Sequence, residues 1–275
     1  MLLLILKNHL ITDIIYLSVL IGDFSMKIGF TTTSVRQIKD IKKIVDIARD
    51  AGADCIEWGG DVHITDVETA RYAKKLCYDA GIKTLIYGSY YRVGDNNRNE
   101  WIRICEIASA LGASSVRVWL GRVGSEATDK SCYNRIVEDS RSMCSVASDY
   151  GLSVCSECHG HTFNDNTDAF LKIRSDVDCV NFKTYFQSLY KKTDYDIDRI
   201  KRTASFIESV HISYFEQFRE QFPKHNGKYI DTVISELRNC GFDGNILIEF
   251  TWLSYHYGIP SMLKKDIARL RNSLE

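Results

Sequence analysis

Eight short β-rich runs recur along the chain, and stretches of helical pattern separate them. The runs cover residues 27–31, 54–58, 83–88, 114–119, 152–157, 180–185, 206–211 and 245–250. Between them, residues 38–51, 101–111, 133–150 and 166–175 carry apolar side chains at helical spacing. Glycines stand where helix C-caps are expected, at Gly81, Gly112, Gly151 and Gly241. Strands that alternate with helices in this way predict a parallel sheet with right-handed crossovers.

The sheet is predicted to close into a barrel. An open doubly wound sheet has the same alternation, but it usually carries a glycine-rich phosphate loop after its first strand. Here the first strand is followed by Thr32-Thr33-Ser34, which is not such a loop. Eight repeats without this loop favour a single-domain α/β fold, the (β/α)8 TIM barrel. The chain has 275 residues, and the part after residue 25 has about the usual length of such a barrel.

The first 25 residues differ from the rest. The segment from Leu2 to Ile21 is apolar but contains Lys7 and Asp13, and each such charge costs roughly 2.5–3.5 kcal/mol at the centre of a bilayer. The basic start and small-residue cleavage site of a secretory signal are also missing. A membrane anchor and an added leader are both open interpretations. We favour the leader, with residues 1–25 as an extension and the barrel domain spanning 26–275.

Net charge limits the classes of binding partner, and cysteine content indicates the cellular compartment. Thirty-five Lys and Arg against 36 Asp and Glu leave a net charge of −1, a poor footprint for nucleic acid or an anionic membrane. We therefore expect neither partner. Nine cysteines, an odd count scattered along the chain, indicate reduced thiols and a cytoplasmic location.

Polar residues near the strand ends are the candidates for chemistry, because the active sites of parallel barrels form at the carboxyl ends of the strands. Side chains alternate along a strand between the barrel interior and the helices. This alternation turns five polar or charged side chains inward, namely Glu57, Arg117, Glu157, His211 and Glu249. A barrel without a function would fill these positions with Val, Ile and Leu.

Two arrangements of these inward groups are consistent with the residues alone. Glu157, Glu249 and His211 can converge on a divalent ion, since carboxylate and imidazole ligands suit Mn²⁺, Mg²⁺, Co²⁺ or Zn²⁺. Alternatively, Arg117 and Lys183 can pair with the glutamates in a buried ion-pair cluster. Alternation along the strands does not distinguish the two.

Several motifs resemble one protein family. They are Ile-Glu-Trp-Gly-Gly-Asp-Val-His at 56–63, Tyr-Gly-Ser-Tyr-Tyr-Arg at 87–92, Val-Arg-Val-Trp at 116–119, Ser-Glu-Cys-His-Gly-His-Thr at 156–162 and Ile-Glu-Phe at 248–250. The chain from Met26 onward thereby resembles the xylose isomerase-like TIM-barrel superfamily. This superfamily comprises sugar phosphate isomerases and epimerases, inosose dehydratases and an apurinic endonuclease.

The resemblance implies a metal site with one departure from the family pattern. The family usually holds its metal with a Glu after the fifth strand, an Asp after the sixth, a His after the seventh and a Glu after the eighth. Glu157, His211 and Glu249 match three of these positions. The sixth-strand segment lacks an Asp, and Gln187 lies nearest the expected position. An amide oxygen ligates without charge, so we expect weaker metal affinity than in the family pattern.

The resemblance also implies an activity, the isomerisation or epimerisation of a small sugar, sugar phosphate or polyol through an enediolate. Glu157 and Glu249 are the expected acid/base groups. The metal, or Lys183 in its absence, would polarise the substrate oxygens. The expected substrate contacts are Glu57, His63, Arg117, His159 and Lys183.

Other functions on the same barrel remain open. Loss of a β-hydroxyl after the same proton abstraction would make the protein a dehydratase. The missing sixth-strand Asp also allows a non-catalytic sugar-binding barrel. A DNA-repair nuclease is disfavoured, because it requires a cluster of metals and a basic face that this chain lacks. Barrels of this family commonly pair, which implies a homodimer.

Overall fold

The computed structural model of the chain describes residues 26–187, 193–214, 227–250 and 259–274. Its strands are β1 (Lys27–Thr31), β2 (Cys55–Gly59), β3 (Lys83–Val93), β4 (Ser115–Leu120), β5 (Ser153–Ser156), β6 (Phe182–Gln187), β7 (Ile207–Ser213) and β8 (Asn245–Phe250). Its α-helices are α1 (Ile41–Ala51), α2 (Val67–Asp79), α3 (Arg98–Leu111), α4 (Lys130–Asp149), α5 (Thr167–Val177), α6 (Thr193–Thr203), α7 (Gly227–Asn239) and α8 (Ile259–Leu274). The predicted extension at residues 1–25 lies outside the described residues.

The eight strands form a closed parallel barrel in chain order, and β8 pairs with β1 to complete the ring. In that last pairing Lys27 lies opposite Asn245, and Phe30 lies opposite Ile248. One α-helix follows each strand. The prediction of a (β/α)8 TIM barrel is confirmed, and the open doubly wound sheet is excluded.

Polar residues and glycines set the helix ends. The Asp40 side chain accepts the backbone N–H of Lys43 and caps α1, so this helix begins at Ile41 and not at residue 38 as predicted. Asp66 and Thr69 form a reciprocal capping box at the start of α2. All four glycines predicted as C-caps have positive φ, between 69° and 80°, a conformation that favours glycine.

Six strands differ from their predicted bounds, β3 and β6 the most and the others by one or two residues at an end. β6 begins at Phe182 because Val180 is 85% exposed and lies in the turn before the strand. β3 continues to Val93. Its register against β4 shifts between Gly88 and Arg92, and the two strands pair again at Arg92 and Val93. This irregularity brings Arg92 opposite Trp119.

Most of the core lies between the barrel and the helices, and a small second cluster fills the barrel interior. That interior cluster consists of Cys55, Ile86, Cys155, Tyr185 and Leu247. The strands approach closely at Gly29, where an added Cβ would overlap the backbone carbonyl of Cys55.

None of the helices in the described ranges combines the length and apolar character that a membrane span requires.

Candidate active site

Five inward polar side chains meet where the strands end. Glu57 lies on β2, Arg117 on β4, His211 on β7 and Glu249 on β8, while Glu157 directly follows β5. The backbone N–H of Glu157 donates to the Val118 carbonyl at 3.0 Å, so this residue continues the strand ladder. The side chains of the first three and of Glu157 are at most 5% exposed, and that of Glu249 is 13% exposed. The alternation read from the sequence places them correctly.

His211 lies at the centre of the cluster, and three carboxylates surround it. Its Nε2 lies 2.8 Å from Oε2 of Glu57, while its Nδ1 lies 3.5 Å from Oε1 of Glu157 and 3.9 Å from Oε1 of Glu249. Burial disfavours a charged imidazole, but the surrounding glutamates outweigh it and raise the pKa of His211 to about 10. The contact with Glu57 orients the ring so that Nδ1 faces the other two carboxylates.

One oxygen of Glu157 is firmly held and the other is not. Oε2 accepts a hydrogen bond from Nη1 of Arg117 at 2.8 Å and another from Nε1 of Trp119. Oε1 is buried without a hydrogen-bond partner. Burial favours the neutral acid, yet the Arg117 charge and the His211 contact hold the pKa of Glu157 well below its usual range.

Glu249 is held by Gln187, which is the residue at the departing sixth-strand position. Nε2 of Gln187 donates to Oε2 of Glu249 at 2.7 Å, and the Gln187 carbonyl oxygen is buried without a partner. Burial raises the pKa of Glu249 to about 7, against the opposing charge of His211. The two glutamates, alike in sequence, therefore differ in their protonation behaviour.

The cluster fits a divalent cation. Glu157, His211 and Glu249 offer ligand atoms that all lie within 4.8 Å of one another. Oε1 of Glu157, Nδ1 of His211 and the side-chain amide oxygen of Gln187 are buried without a hydrogen bond, and such atoms are rare unless a ligand, ion or water satisfies them. Nδ1 lies 3.5 Å from Oε1 of Glu157 and becomes a ligand atom once the imidazole loses its proton. The mixture of carboxylate, imidazole and amide ligands suits the metals named above.

The guanidinium of Arg117 is buried and contacts the acidic residues of the cluster. Its Nε lies 3.6 Å from Oε1 of Glu57, and its Nη1 bonds Glu157, so the guanidinium bridges two buried acids. Gly88 permits this approach, because a Cβ there would lie 2.9 Å from Oε1 of Glu57. Both arrangements left open by the sequence are therefore present in part. Arg117 forms the ion pairs, and Glu157, His211 and Gln187 each keep a buried side-chain atom without a hydrogen bond.

Three of the predicted substrate contacts do not join this cluster. Lys183 lies opposite Cys155, two positions before Glu157 on the β5 ladder, and its charge acts on Glu208 near the start of β7. It is thus too deep in the barrel to polarise a substrate at the mouth. His63 is buried, with its ring nitrogens 3.0 Å from the Thr32 hydroxyl and 2.9 Å from the Ile38 carbonyl.

His159 occupies the rim. It is exposed, its Nδ1 lies 2.7 Å from the Gly160 carbonyl, and its ring centroid lies 5.3 Å from that of Trp119. Its Nε2 has no hydrogen bond among the described residues. His159 is therefore open to solvent beside the cluster.

Three further residues contact the cluster and are absent from the predicted site. The indole N–H of Trp119 donates to Glu157. The Tyr185 ring packs edge-on against His211 at 4.9 Å. Arg92 was missed because the predicted third strand ended at Gly88, before the irregularity that turns Arg92 toward Trp119.

Solved structures with the same fold include several enzymes. The probable 3-DHS dehydratase AsbF of Bacillus anthracis is 19% identical with a TM-score of 0.75, covering 90% of this chain and 99% of that one. D-Psicose 3-epimerase of Clostridium cellulolyticum H10 is 16% identical with a TM-score of 0.68, covering 90% and 98%. The 3-keto-D-glucoside 4-epimerase YcjR of E. coli is 14% identical with a TM-score of 0.70, covering 90% and 100%.

At these identities the likeness establishes the fold alone. No curated protein matches the chain in sequence. A family model described as xylose isomerase-like TIM barrel matches residues 45–273, which is most of the barrel and includes every strand from β2 onward. The chain therefore belongs to the xylose isomerase-like TIM-barrel family.

Proposed function

We propose that the protein is a metal-dependent isomerase or epimerase of a small sugar, sugar phosphate or polyol. The observation that carries this proposal is the convergence of ligand atoms from Glu157, His211 and Glu249 within 4.8 Å at the mouth of the barrel. Two of these residues present buried atoms without a hydrogen bond. Those two atoms face each other at 3.5 Å without a hydrogen bond, and a ligand shared by both residues would satisfy both of them.

Glu157, His211 and Glu249 would hold the metal, and Gln187 would be the fourth ligand. Mn²⁺, Mg²⁺, Co²⁺ and Zn²⁺ all accept this ligand set. When bound, the ion would act as a Lewis acid and stabilise negative charge on the substrate oxygens. In the metal-free site Arg117 and the protonated His211 balance the charge of the glutamates. A divalent ion would replace the His211 proton, so metal binding should release a proton and weaken at low pH.

The two glutamates face the substrate position from different strands. Glu157, which the Arg117 charge keeps ionised, takes a proton from the carbon beside the carbonyl, and the electron pair of the broken C–H bond moves into the enediolate. Its Oε1 is the reacting oxygen, because Arg117 and Trp119 hold only the other one. Glu249, whose pKa of about 7 lets it carry a proton near neutral pH, delivers its own proton from the other strand. Delivery to the opposite face of the same carbon inverts that carbon, whereas delivery to the neighbouring carbon moves the carbonyl, and both glutamates return to their starting states by exchange with solvent.

A dehydratase is the second candidate. The same proton abstraction precedes loss of a β-hydroxyl, and one structure of the same fold is a probable dehydratase. Product analysis separates the two activities, since a dehydratase releases water and an epimerase conserves the composition of its substrate.

We also propose that the enzyme works in the reducing environment of the cytoplasm. All nine cysteines are unpaired thiols, and disulfides are rare in that compartment.

The test is solvent deuterium exchange into a panel of ketoses, aldoses, polyol ketones and their phosphates. With the full chain and added Mn²⁺ or Mg²⁺, one class of substrate should incorporate deuterium at the carbon beside its carbonyl. Glu249→Gln and Glu157→Gln should each lower exchange by about a hundredfold or more. Glu208→Gln is the matched control, because it removes a carboxylate at the opposite end of the same barrel and should leave exchange intact.

Two results would count against the proposal. Absence of exchange across the panel in the metal-loaded protein would favour a sugar-binding barrel without catalysis. Undiminished exchange in both glutamate variants would remove them from the acid/base roles.

A further inference from the structure

The mouth of the barrel holds a guanidinium that neither the metal site nor the ion pairs use. Arg92 on β3 is half-buried and lies opposite Trp119. Its guanidinium carbon lies 4.1 Å from the centroid of the Trp119 ring, and its Nη1 donates to the Gly121 carbonyl at 3.1 Å. The irregularity of β3 between Gly88 and Arg92 produces this position.

Arg92 forms no ion pair with any of the residues that the structure describes. Within the described part of the chain, no carboxylate lies within 4.0 Å of its guanidinium. The nearby acid, Asp95, is instead bound by Arg122 at 2.6 Å. Burial and the like charge of Arg122 lower the pKa of Arg92 and outweigh the opposite effects of Asp95 and Glu157. The other rim arginine, Arg36, is by contrast paired with Asp61 and bonded to the Tyr90 hydroxyl.

Arg92 lies beside the cluster that is proposed to bind the substrate. The tryptophan beneath it donates its indole N–H to Glu157, and the charge of Glu157 acts on Arg92. Arg117, the cation expected from the sequence to bind substrate, is buried between Glu57 and Glu157 and has no solvent-facing role. Among the arginines that the structure describes at the mouth, Arg92 is thus the one without an ion pair and with N–H donors still available.

We propose that Arg92 binds an anionic group of the substrate, a carboxylate or a phosphate, and thereby selects acidic sugars or polyols over neutral ones. The planar guanidinium can donate to two oxygens of such a group at once. Stacking on Trp119 holds the plane in place, so little side-chain freedom is lost on binding. This assignment rests on the proposed function only in naming the bound anion as part of the substrate.

The test uses the full chain saturated with Mg²⁺ and three small probes. These are inorganic phosphate, glycolate, and ethylene glycol, in which an alcohol replaces the carboxylate of glycolate. Binding is followed by the indole N–H resonance of Trp119, assigned with Trp119→Phe. Phosphate or glycolate should shift this resonance in a saturable manner, and ethylene glycol should not. Arg92→Gln should weaken the binding by about tenfold to a hundredfold, the effect of losing one or two charge-assisted hydrogen bonds.

Two further variants separate the effect of the Arg92 guanidinium from a general loss of positive charge. Arg122→Gln removes an equal charge from the neighbouring exposed pair with Asp95 and should leave binding within about twofold. Arg92→Lys keeps the charge but loses the planar donors, so it should bind more weakly than the wild type and more tightly than Arg92→Gln. A response to phosphate alone supports phosphorylated substrates, and a response to glycolate alone supports sugar acids.

The proposal is overturned if neither anion binds, or if Arg92→Gln and Arg122→Gln weaken binding equally. Deuterium exchange is measured separately on the same proteins. Exchange of neutral sugars without Arg92-dependent anion binding would refute this inference and leave the proposed function standing. Anion binding without any exchange would refute the proposed function alone.

Discussion

Replacement of Arg117 by Met tests whether the buried charges depend on one another. The guanidinium is 5% exposed and lies 2.8 Å from Glu157 and 3.6 Å from Glu57, each 1% exposed. Its removal leaves two carboxylates in the barrel without a cation on that side. Removing one partner of a buried ion pair costs about 3–5 kcal/mol. In a chain of this size each kcal/mol shifts the midpoint by about 2–4 °C, so we expect Tm to fall by about 6–20 °C.

The measurement is thermal unfolding of the metal-free protein, with Arg122→Met as the control. Arg122 pairs with Asp95 at the surface and is 67% exposed, so its loss should cost no more than about 1 kcal/mol. In the Glu157→Gln background, Arg117→Met should cost less than in the wild type, because the two residues are coupled. Equal losses for the two arginine variants, or additive effects in the cycle, would refute the reasoning.

Three further predictions concern other parts of the barrel. Burial raises the pKa of Asp266 to about 7 from the 3.8 of the unfolded chain, so the folded state binds more protons between those values and the wild type loses stability as pH rises through that window. Asp266→Asn should remove this loss and be more stable by a few kcal/mol, on the order of 4, at pH 8 but not near pH 4, as urea titrations at both pH values would show. Gln187→Asp adds a charge beside Glu249 and should tighten Mn²⁺ binding, and calorimetry that shows no change would exclude residue 187 as a ligand. Gly29→Ala would force a Cβ against the Cys55 carbonyl and should destabilise the protein by about 1–3 kcal/mol or more, whereas a wild-type denaturation curve would contradict the close strand contact.

The eight strand–helix repeats without a glycine-rich loop predict the barrel, and alternation along the strands predicts the inward side chains. β1 and β8 have the predicted bounds, because each run is short, apolar on one face and bounded by polar residues. The inward positions of Glu157, His211 and Glu249 follow from alternation along single strands. These are local properties, and the sequence carries them directly.

Depth along the barrel axis and competition between partners are not local. Lys183 faces inward as alternation requires, but the strand stagger places it beside Glu208, away from the mouth. Both ring nitrogens of His63 form hydrogen bonds, with Thr32 and Ile38, which are distant in sequence. The irregularity in β3 has no sequence signature of its own, and it determines where Arg92 lies. Long-range packing therefore decides which of the polar residues can reach a substrate.

The central claim is that Glu157, His211 and Glu249 bind a divalent ion at the mouth of the barrel. Calorimetric titration of the metal-free full chain with Mn²⁺ tests it most directly. The structure predicts saturation at a single ion per chain, with binding lost in Glu249→Gln and retained in Glu208→Gln. An absence of stoichiometric binding, or equal binding by both variants, would contradict the account.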